Sequence, residues 1–344
     1  MTQFKFLIKA LSFILISLSI TFCSNDSSNS PESDNPKTVV ELLGKLQTQG
    51  NQIVDKNGDP IALHGMSMFW SQWAPKFYNK DCIQWLYNDW KCTIIRAALA
   101  VEEGGYLENP QEELAKIETV VEACIDLGIY VIIDWHNHHA EQQPEVAKAF
   151  FKQMAQKYGG YPNVIYEIYN EPLNISWSQV LKPYSEAVIA EIRSEDPDNL
   201  IIVGTPNWSQ DVDVAALDPI DDVNVAYSLH YYTGTHRQEL RNKAQKMLDK
   251  NLPIFVTEWG VSQANALGNI DYEETQRWLY FADQNNLSWC TWSVNDKEET
   301  TSIVKPGSSP TGNWSEADLT EAGTYVKSLI LERNAAIFEL LENE

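Results

Sequence analysis

"VIYEIYNEPLN", Val164 to Asn174, is the stretch on which the fold turns. It opens on a run of large apolar residues, the content of a strand buried on both faces. It then ends on an amide and a carboxylate, Asn170 and Glu171, before Pro172 fixes the backbone direction. "PIFVTEWG", Pro253 to Gly260, repeats the arrangement with Glu258. A carboxylate at the end of a buried run is costly unless it is paired or used. Two such ends call for one fold in which buried strands finish at a common site.

The rest of the chain supplies that fold. Further apolar, β-branched or aromatic runs lie at Ile61–Ser67, Thr93–Leu99, Tyr130–His136, Leu200–Gly204, Val223–His230 and Leu287–Ser293. With Val164–Asn170 and Ile254–Glu258 they make eight strand candidates. Helical patterns separate them: Glu112–Leu127 sets Leu114, Ile117, Val120, Val121 and Cys124 on one stripe, and Ile175–Glu195, Gln238–Asn251 and Tyr272–Gln284 follow. Ala317 to Glu344 reads as a closing helix anchored by Leu319, Tyr325, Val326, Leu329 and Ile330. Eight such alternations predict an α/β fold, a (β/α)8 TIM barrel forming one catalytic domain over residues 38–344. An open doubly wound sheet is the alternative. It lacks the glycine-rich turn after the first strand, where "HGMSMFW" stands instead.

Composition narrows the partner. Of 344 residues, 44% are hydrophobic, enough for a large core, and 25 cationic against 48 acidic residues give a net charge of −23. Phosphate backbones need a cationic face, so no nucleic acid is expected. Twelve Trp and fifteen Tyr favour flat stacking surfaces for a neutral sugar. Residues 1–22 read as a signal peptide, with Lys5 and Lys9 before the apolar "LSFILISLSI". "SITFC" has the look of a lipoprotein cleavage site, although Phe22 departs from the small residue usual there. Cys23 is therefore the expected lipid anchor, and residues 23–37 a polar tether. Export to the cell surface or periplasm, or secretion, follows. Cys82, Cys92, Cys124 and Cys290 match no zinc spacing. A Cys82–Cys92 bridge is open, while Cys124 and Cys290 sit in apolar stretches as small hydrophobes.

In a barrel of this class the site forms at the C-terminal strand ends. Those ends carry Arg96, then Asp134, Trp135 and His136, then Asn170 and Glu171, then His230, Tyr231 and Tyr232, then Glu258 and Trp259, then Trp292. Two carboxylates across a cleft with aromatic platforms suit glycoside hydrolysis. Glu171 is the expected proton donor, held protonated by a neighbouring negative charge. Glu258 is the expected partner, kept ionised by hydrogen bonds and Arg96. Asn170 can donate to the sugar hydroxyl beside the reacting carbon.

"IYNEP" (168–172), "TEWG" (257–260), "IIRAAL" (94–99), "DWH" (134–136), "LHYY" (229–232) and "WCTWSVNDKEE" (289–299) together resemble glycoside hydrolase family 5, in its branch of bacterial endoglucanases. The resemblance runs from about Val40 to Trp314. It implies Glu171 as acid/base and Glu258 as nucleophile, with Arg96, His136, Asn170, His230 and Tyr232 in support. It also implies sugar contacts at Trp292, Trp73, Lys297 and Glu299, and a stacking Trp208 on the leaving-group side. His138 is expected on the cleft wall, and His236 in a nearby loop. Where related enzymes often carry a His in the first loop, this chain has Phe69, which bears on a distal sugar contact. "HNHH" (136–139) lacks the strand-one pair of metal-dependent barrels, so no metal and no cofactor is expected. The implied activity is a retaining endo-β-1,4-glucanase acting as a monomer on β-glucan. A mannanase, xyloglucanase or mixed-linkage glucanase is the second reading, and a non-catalytic glycan-binding surface lipoprotein the third. Retention of both carboxylates speaks against the last. No binding module is visible in the sequence, which leans toward soluble or amorphous glucan.

Overall fold

The eight apolar runs pair as parallel strands β1 (His64–Met68), β2 (Ile94–Ala100), β3 (Tyr130–His136), β4 (Val164–Glu167), β5 (Ile201–Val203), β6 (Val225–Tyr232), β7 (Ile254–Gly260) and β8 (Trp289–Val294). The computed structural model describes residues 37–342. The expected signal peptide, Cys23 and all of the tether but Lys37 lie outside them. Each strand pairs with the next, and β8 pairs with β1 to close the barrel. Every strand residue is buried. This is the expected (β/α)8 architecture, and it explains why the runs are continuously apolar rather than alternating.

The strand limits differ from the sequence reading in ways that matter for the site. β4 stops at Glu167 rather than Asn170. The Asn170 and Glu171 amides leave the ladder and donate to the carbonyls of Trp135 (3.1 Å) and Asn137 (3.2 Å). β6 runs two residues further than expected, to Tyr232, and β7 to Gly260. β1 starts at His64 rather than Ile61. β7 also holds an extra residue. Ser228 of β6 faces Phe255 but His230 faces Glu258, and on the other side Trp289 faces Val256 while Thr291 faces Trp259. A bulge of this kind re-aims side chains. Here it turns the consecutive residues Thr257 and Glu258 both toward the barrel axis.

Helices Lys80–Trp90, Pro110–Leu127, Pro144–Tyr158, Lys182–Arg193, Gln238–Leu248, Tyr272–Gln284 and Glu321–Glu342 form the outer wall. Pro144–Tyr158 was not among the expected helices, although Pro144 occupies the favoured first helical turn and Phe150, Phe151 and Met154 are buried. The expected helix Ile175–Glu195 opens instead on a wide turn, Trp177–Leu181. After β5 two four-residue helical turns, Pro206–Ser209 and Val212–Ala215, replace a helix. The last helix starts at Glu321, because Leu319 bridges to Val304. At the N-terminal end of the barrel, helix Val39–Leu43 docks through Val40 N–H on the Gly128 carbonyl. Fully buried Trp90, Trp135 and Trp278 knit wall to barrel, each contributing roughly 1.5–3 kcal/mol. Cys82, Cys92, Cys124 and Cys290 are buried and unpaired. The Cys82–Cys92 bridge is not formed: Cys82 packs within the helix and Cys92 in the core just before β2. All four thiols are small hydrophobes, with burial lifting each above the ordinary thiol range.

Candidate active site

Strand parity and register gather the polar strand residues on the axis. Ser67 faces Arg96 across β1 and β2, Asp134 faces Glu167 across β3 and β4, and His230 faces Glu258 across β6 and β7. Arg96 is fully buried and sits at the centre. Its Nε donates to Glu167 Oε2 (2.6 Å) and its Nη1 to Glu258 Oε2 (3.0 Å) and Ser67 Oγ (3.3 Å). Its Nη2 donates to Asn170 Oδ1 (2.6 Å) and lies 3.0 Å from Asp134 Oδ2. Such a planar fork suits several acceptors at once.

Three buried carboxylates around one guanidinium leave a charge deficit, and two features reduce it. Burial disfavours charge on His230, but hydrogen bonding to Glu167 and Glu171 outweighs it and lifts the imidazolium to about 9. His230 Nδ1 donates to Glu171 Oε1 (3.0 Å) and Nε2 to Thr257 Oγ1 (2.8 Å). Burial also pushes Asp134 well above the carboxylate range, against the pull of Arg96. Glu167 moves the other way, since Arg96 and His230 overcome its burial. Arg96 and His230 are thus the two cations set among Asp134, Glu167 and Glu258. His136 is held neutral, well below its ordinary value, by burial and then by Arg96. Its Nδ1 meets Asp134 Oδ2 at 2.7 Å.

Glu258 accepts from Arg96 and, at Oε1, from the Tyr232 hydroxyl at 2.7 Å. These are the hydrogen bonds and the Arg96 contact expected to keep it ionised, and they act against its burial. Burial raises Glu258, the Glu171 charge adds to this, and His230, Arg96 and Tyr232 work against it. Gly260 makes room for the Tyr232 ring, since a Cβ there would lie 2.5 Å from two ring carbons. Glu171 sits nearer the surface, with 15% of its side chain exposed, beside His138 Nδ1, which is 3.2 Å from its carbonyl oxygen. One oxygen of Glu171 and one of Glu258 lie within 4.8 Å of each other. His230 completes a triad of that span with them. Both of its ring nitrogens are already within hydrogen-bond reach of protein oxygens, Glu171 Oε1 and Thr257 Oγ1.

The cleft has two parts that meet at Glu171, each about 290 Å³. One is lined by Phe69, Trp70, Trp73, His136, His138, Asn170, Glu258, Trp292, Lys297 and Glu299 among others, and the second by Trp208, Gln210, His230 and His236. All thirteen residues expected from the sequence thus converge, Arg96 lying beneath the floor. Trp73 and Trp208 present 51% and 44% of their surface. Trp292 stacks on His136 at 5.2 Å and 5°. Lys297 pairs with Glu299 at 3.1 Å and lies 4.5 Å above the Phe69 ring. Phe69 packs 5.1 Å from Trp292, an apolar contact in place of a polar one. Trp208 projects from three consecutive left-handed residues, Asn207, Trp208 and Ser209 (φ 60°, 57°, 54°). That conformation costs roughly 1–2 kcal/mol per residue. It is held by Trp208 N–H on the Pro172 carbonyl (2.8 Å) and Ser209 Oγ on the Asn170 carbonyl (2.8 Å). A surface cavity of about 690 Å³ lies between the outer helices Gln238–Leu248 and Tyr272–Gln284, away from this chemistry.

Three strand-end aromatics do not join the mouth. Trp135 packs on Phe150 (5.1 Å), Tyr231 stacks on Trp278 (3.9 Å) and Trp259 meets Trp289 (5.4 Å), all facing the helices. Each is one residue out of parity with an axis-facing neighbour. Glu167, Thr257 and Trp70 belong to the site and were not expected in it. Glu167 had a signal, as the lone carboxylate inside an apolar run. Trp70, 4.1 Å from His136 and edge-on to it, had none.

A family model described as Cellulase (glycosyl hydrolase family 5) matches residues 54–298. Endoglucanase A of Evansella cellulosilytica is 46% identical over 93% of this chain and 65% of its own length. Endoglucanase Z of Dickeya dadantii is 51% identical over 83% of this chain and 66% of its own. The chain thus spans just under two thirds of these relatives. The catalytic domain of Thermobifida fusca endoglucanase Cel5A, solved in complex with cellotetraose, is 32% identical and covers 85% of this chain and 99% of that one, with a TM-score of 0.82. Agreement of barrel, strand-end carboxylates and matched length leaves one conclusion: this chain belongs to glycosyl hydrolase family 5, the cellulase family.

Proposed function

We propose that the protein is a retaining endo-β-1,4-glucanase, with Glu258 as nucleophile and Glu171 as acid/base. The carrying observation is the approach of the two carboxylates within 4.8 Å. Retaining enzymes hold their pair about 5–5.5 Å apart, and inverting ones about 6.5–9.5 Å, to admit a water. In the first step a Glu258 oxygen bonds to the anomeric carbon as the glycosidic bond breaks, and Glu171 gives its proton to the leaving oxygen. In the second, Glu171 takes a proton from water, whose oxygen displaces Glu258. Asn170 Oδ1 is engaged by Arg96, so its Nδ2 faces the cleft to donate to the hydroxyl beside the reacting carbon. The two-part cleft supports internal cutting, because a chain continues on both sides of Glu171. Names of relatives and the cellotetraose complex support β-1,4-glucan as substrate.

Carboxymethylcellulose should lose viscosity faster than reducing ends appear, and the first product should be the β anomer by proton NMR. Glu258→Gln should abolish turnover with any leaving group. Glu171→Ala should cripple glucan hydrolysis yet retain the first step with an aryl leaving group, and azide should then accelerate turnover. An initial α anomer would make Glu258 a base, and exclusive cleavage of mannan would replace the substrate.

A further inference from the structure

Glu113 is a carboxylate only 1% exposed, on helix Pro110–Leu127 and outside the catalytic cluster. A buried carboxylate persists only where its oxygens are engaged. One oxygen pairs with Lys116 Nζ at 2.6 Å, and the other accepts the Ser71 hydroxyl. Ser71 is fully buried, and its Oγ in turn accepts the Ala100 N–H at 2.8 Å, at the last residue of β2. One hydroxyl therefore ties together the loop after β1, the end of β2 and the helix that follows. Ser71 lies between Trp70 and Trp73, in a turn closed by the Trp73 and Ala74 amides on the Trp70 carbonyl. Trp70 packs on Trp73 at 5.2 Å and edge-on to His136 at 4.1 Å.

We propose that Glu113, acting through Ser71, is a positioning residue for sugar binding: it pins the Trp70–Trp73 loop so that the exposed Trp73 ring is set before substrate arrives. This rests on the glucanase reading given above. An exposed aromatic on a free loop loses conformational entropy when it stacks a ligand, and a pinned loop has lost it already. The contribution therefore falls on ground-state binding and not on the chemical step.

Ser71→Ala should raise KM for cellotetraose about fivefold and leave kcat within about twofold. Glu113→Ala should do the same, whereas Glu113→Gln, whose amide oxygen still accepts from Ser71, should restore a low KM. In a Trp73→Ala background Ser71→Ala should add nothing, since both changes act on one platform. Without ligand, the Ala100 amide should exchange hydrogen faster in Ser71→Ala. Should Glu113→Ala fail to fold, the Ser71/Trp73 cycle decides alone. An unchanged KM, a KM rise fully additive with Trp73→Ala, or unchanged Ala100 exchange overturns the proposal. Failure of the wild-type enzyme to cleave cellotetraose overturns the glucanase reading instead, and the Ala100 exchange still tests the pin.

Discussion

Replacing Tyr232 by Phe removes one oxygen atom and leaves the ring where Gly260 lets it lie. The lost hydroxyl is the donor 2.7 Å from Glu258 Oε1, and both residues are buried. A hydrogen bond to a charged group contributes about 1.5–3 kcal/mol, and one pKa unit corresponds to about 1.36 kcal/mol. Tyr232 opposes the upward push of burial on Glu258. Its loss should therefore raise Glu258 further. Glu258 must be ionised to attack, so the acidic limb of kcat/KM should move to higher pH by about 1–2 units. Tyr232 itself is pushed well above its ordinary range by burial and then by Glu258, so it stays a neutral donor throughout. Initial rates on an aryl cellobioside across the pH range measure the limb, with circular dichroism to confirm folding at each point. A lowered rate with an unmoved acidic limb would refute the reasoning, since it would detach Tyr232 from the ionisation of Glu258.

Two further outcomes follow from the same geometry. His230 has a raised folded value of about 9, so its contribution is complete below the unfolded value and is lost as pH rises: about 3 kcal/mol of unfolding free energy should fade between about pH 6.5 and 9. Urea midpoints should fall across that window in the wild type and stay flat in His230→Gln; a flat wild-type curve would remove the second cation from the cluster. Gly260→Ala places a methyl 2.5 Å from the Tyr232 ring, and overpacking of this kind costs about 1–3 kcal/mol. Because the ring must move off Glu258, kcat/KM should drop and its acidic limb should rise, and a variant of unchanged activity and pH profile would show that the ring has room.

What the sequence disclosed follows from what a period of two can and cannot carry. Eight buried runs and their order could be read directly, because strands covered on both faces must be apolar throughout. The site residues at their ends could be read because the barrel places function there. Which of two adjacent end residues faces the axis could not. Trp135, Tyr231 and Trp259 were grouped with the mouth although they face the helices, each being out of phase with its neighbour. The bulge in β7 is equally silent in the sequence, yet it brings Thr257 and Glu258 to the axis together. Glu167 was passed over because it lies inside its run rather than at its end. The electrostatics of the cluster were hidden for a related reason. The raised His230 imidazolium and the upward push of burial on Asp134 are both products of depth and register.

The two carboxylates proposed as catalytic are anchored in unlike ways, and the difference fits the roles proposed for them. Glu258 is in a strand, fixed by the bulge before it and by donors on both of its oxygens, Arg96 on one and Tyr232 on the other. An attacking oxygen gains from such restraint, since misplacement by about 1 Å can cost a hundredfold in rate. Glu171 has left the strand. Its amide leans on the loop after β3, and one carboxylate oxygen takes a proton-bearing nitrogen of His230. It borders both parts of the cleft and retains contact with solvent. An acid that must then become a base has to meet the leaving oxygen first and an incoming water second, in the same place. A residue sealed like Glu258 could do the first and not the second, whereas one at the junction of the two half-clefts can do both. The carbonyl of Pro172, in the opening stretch, accepts the Trp208 N–H at 2.8 Å, so the turn that carries Glu171 out of β4 also carries Trp208, the platform expected on the leaving-group side.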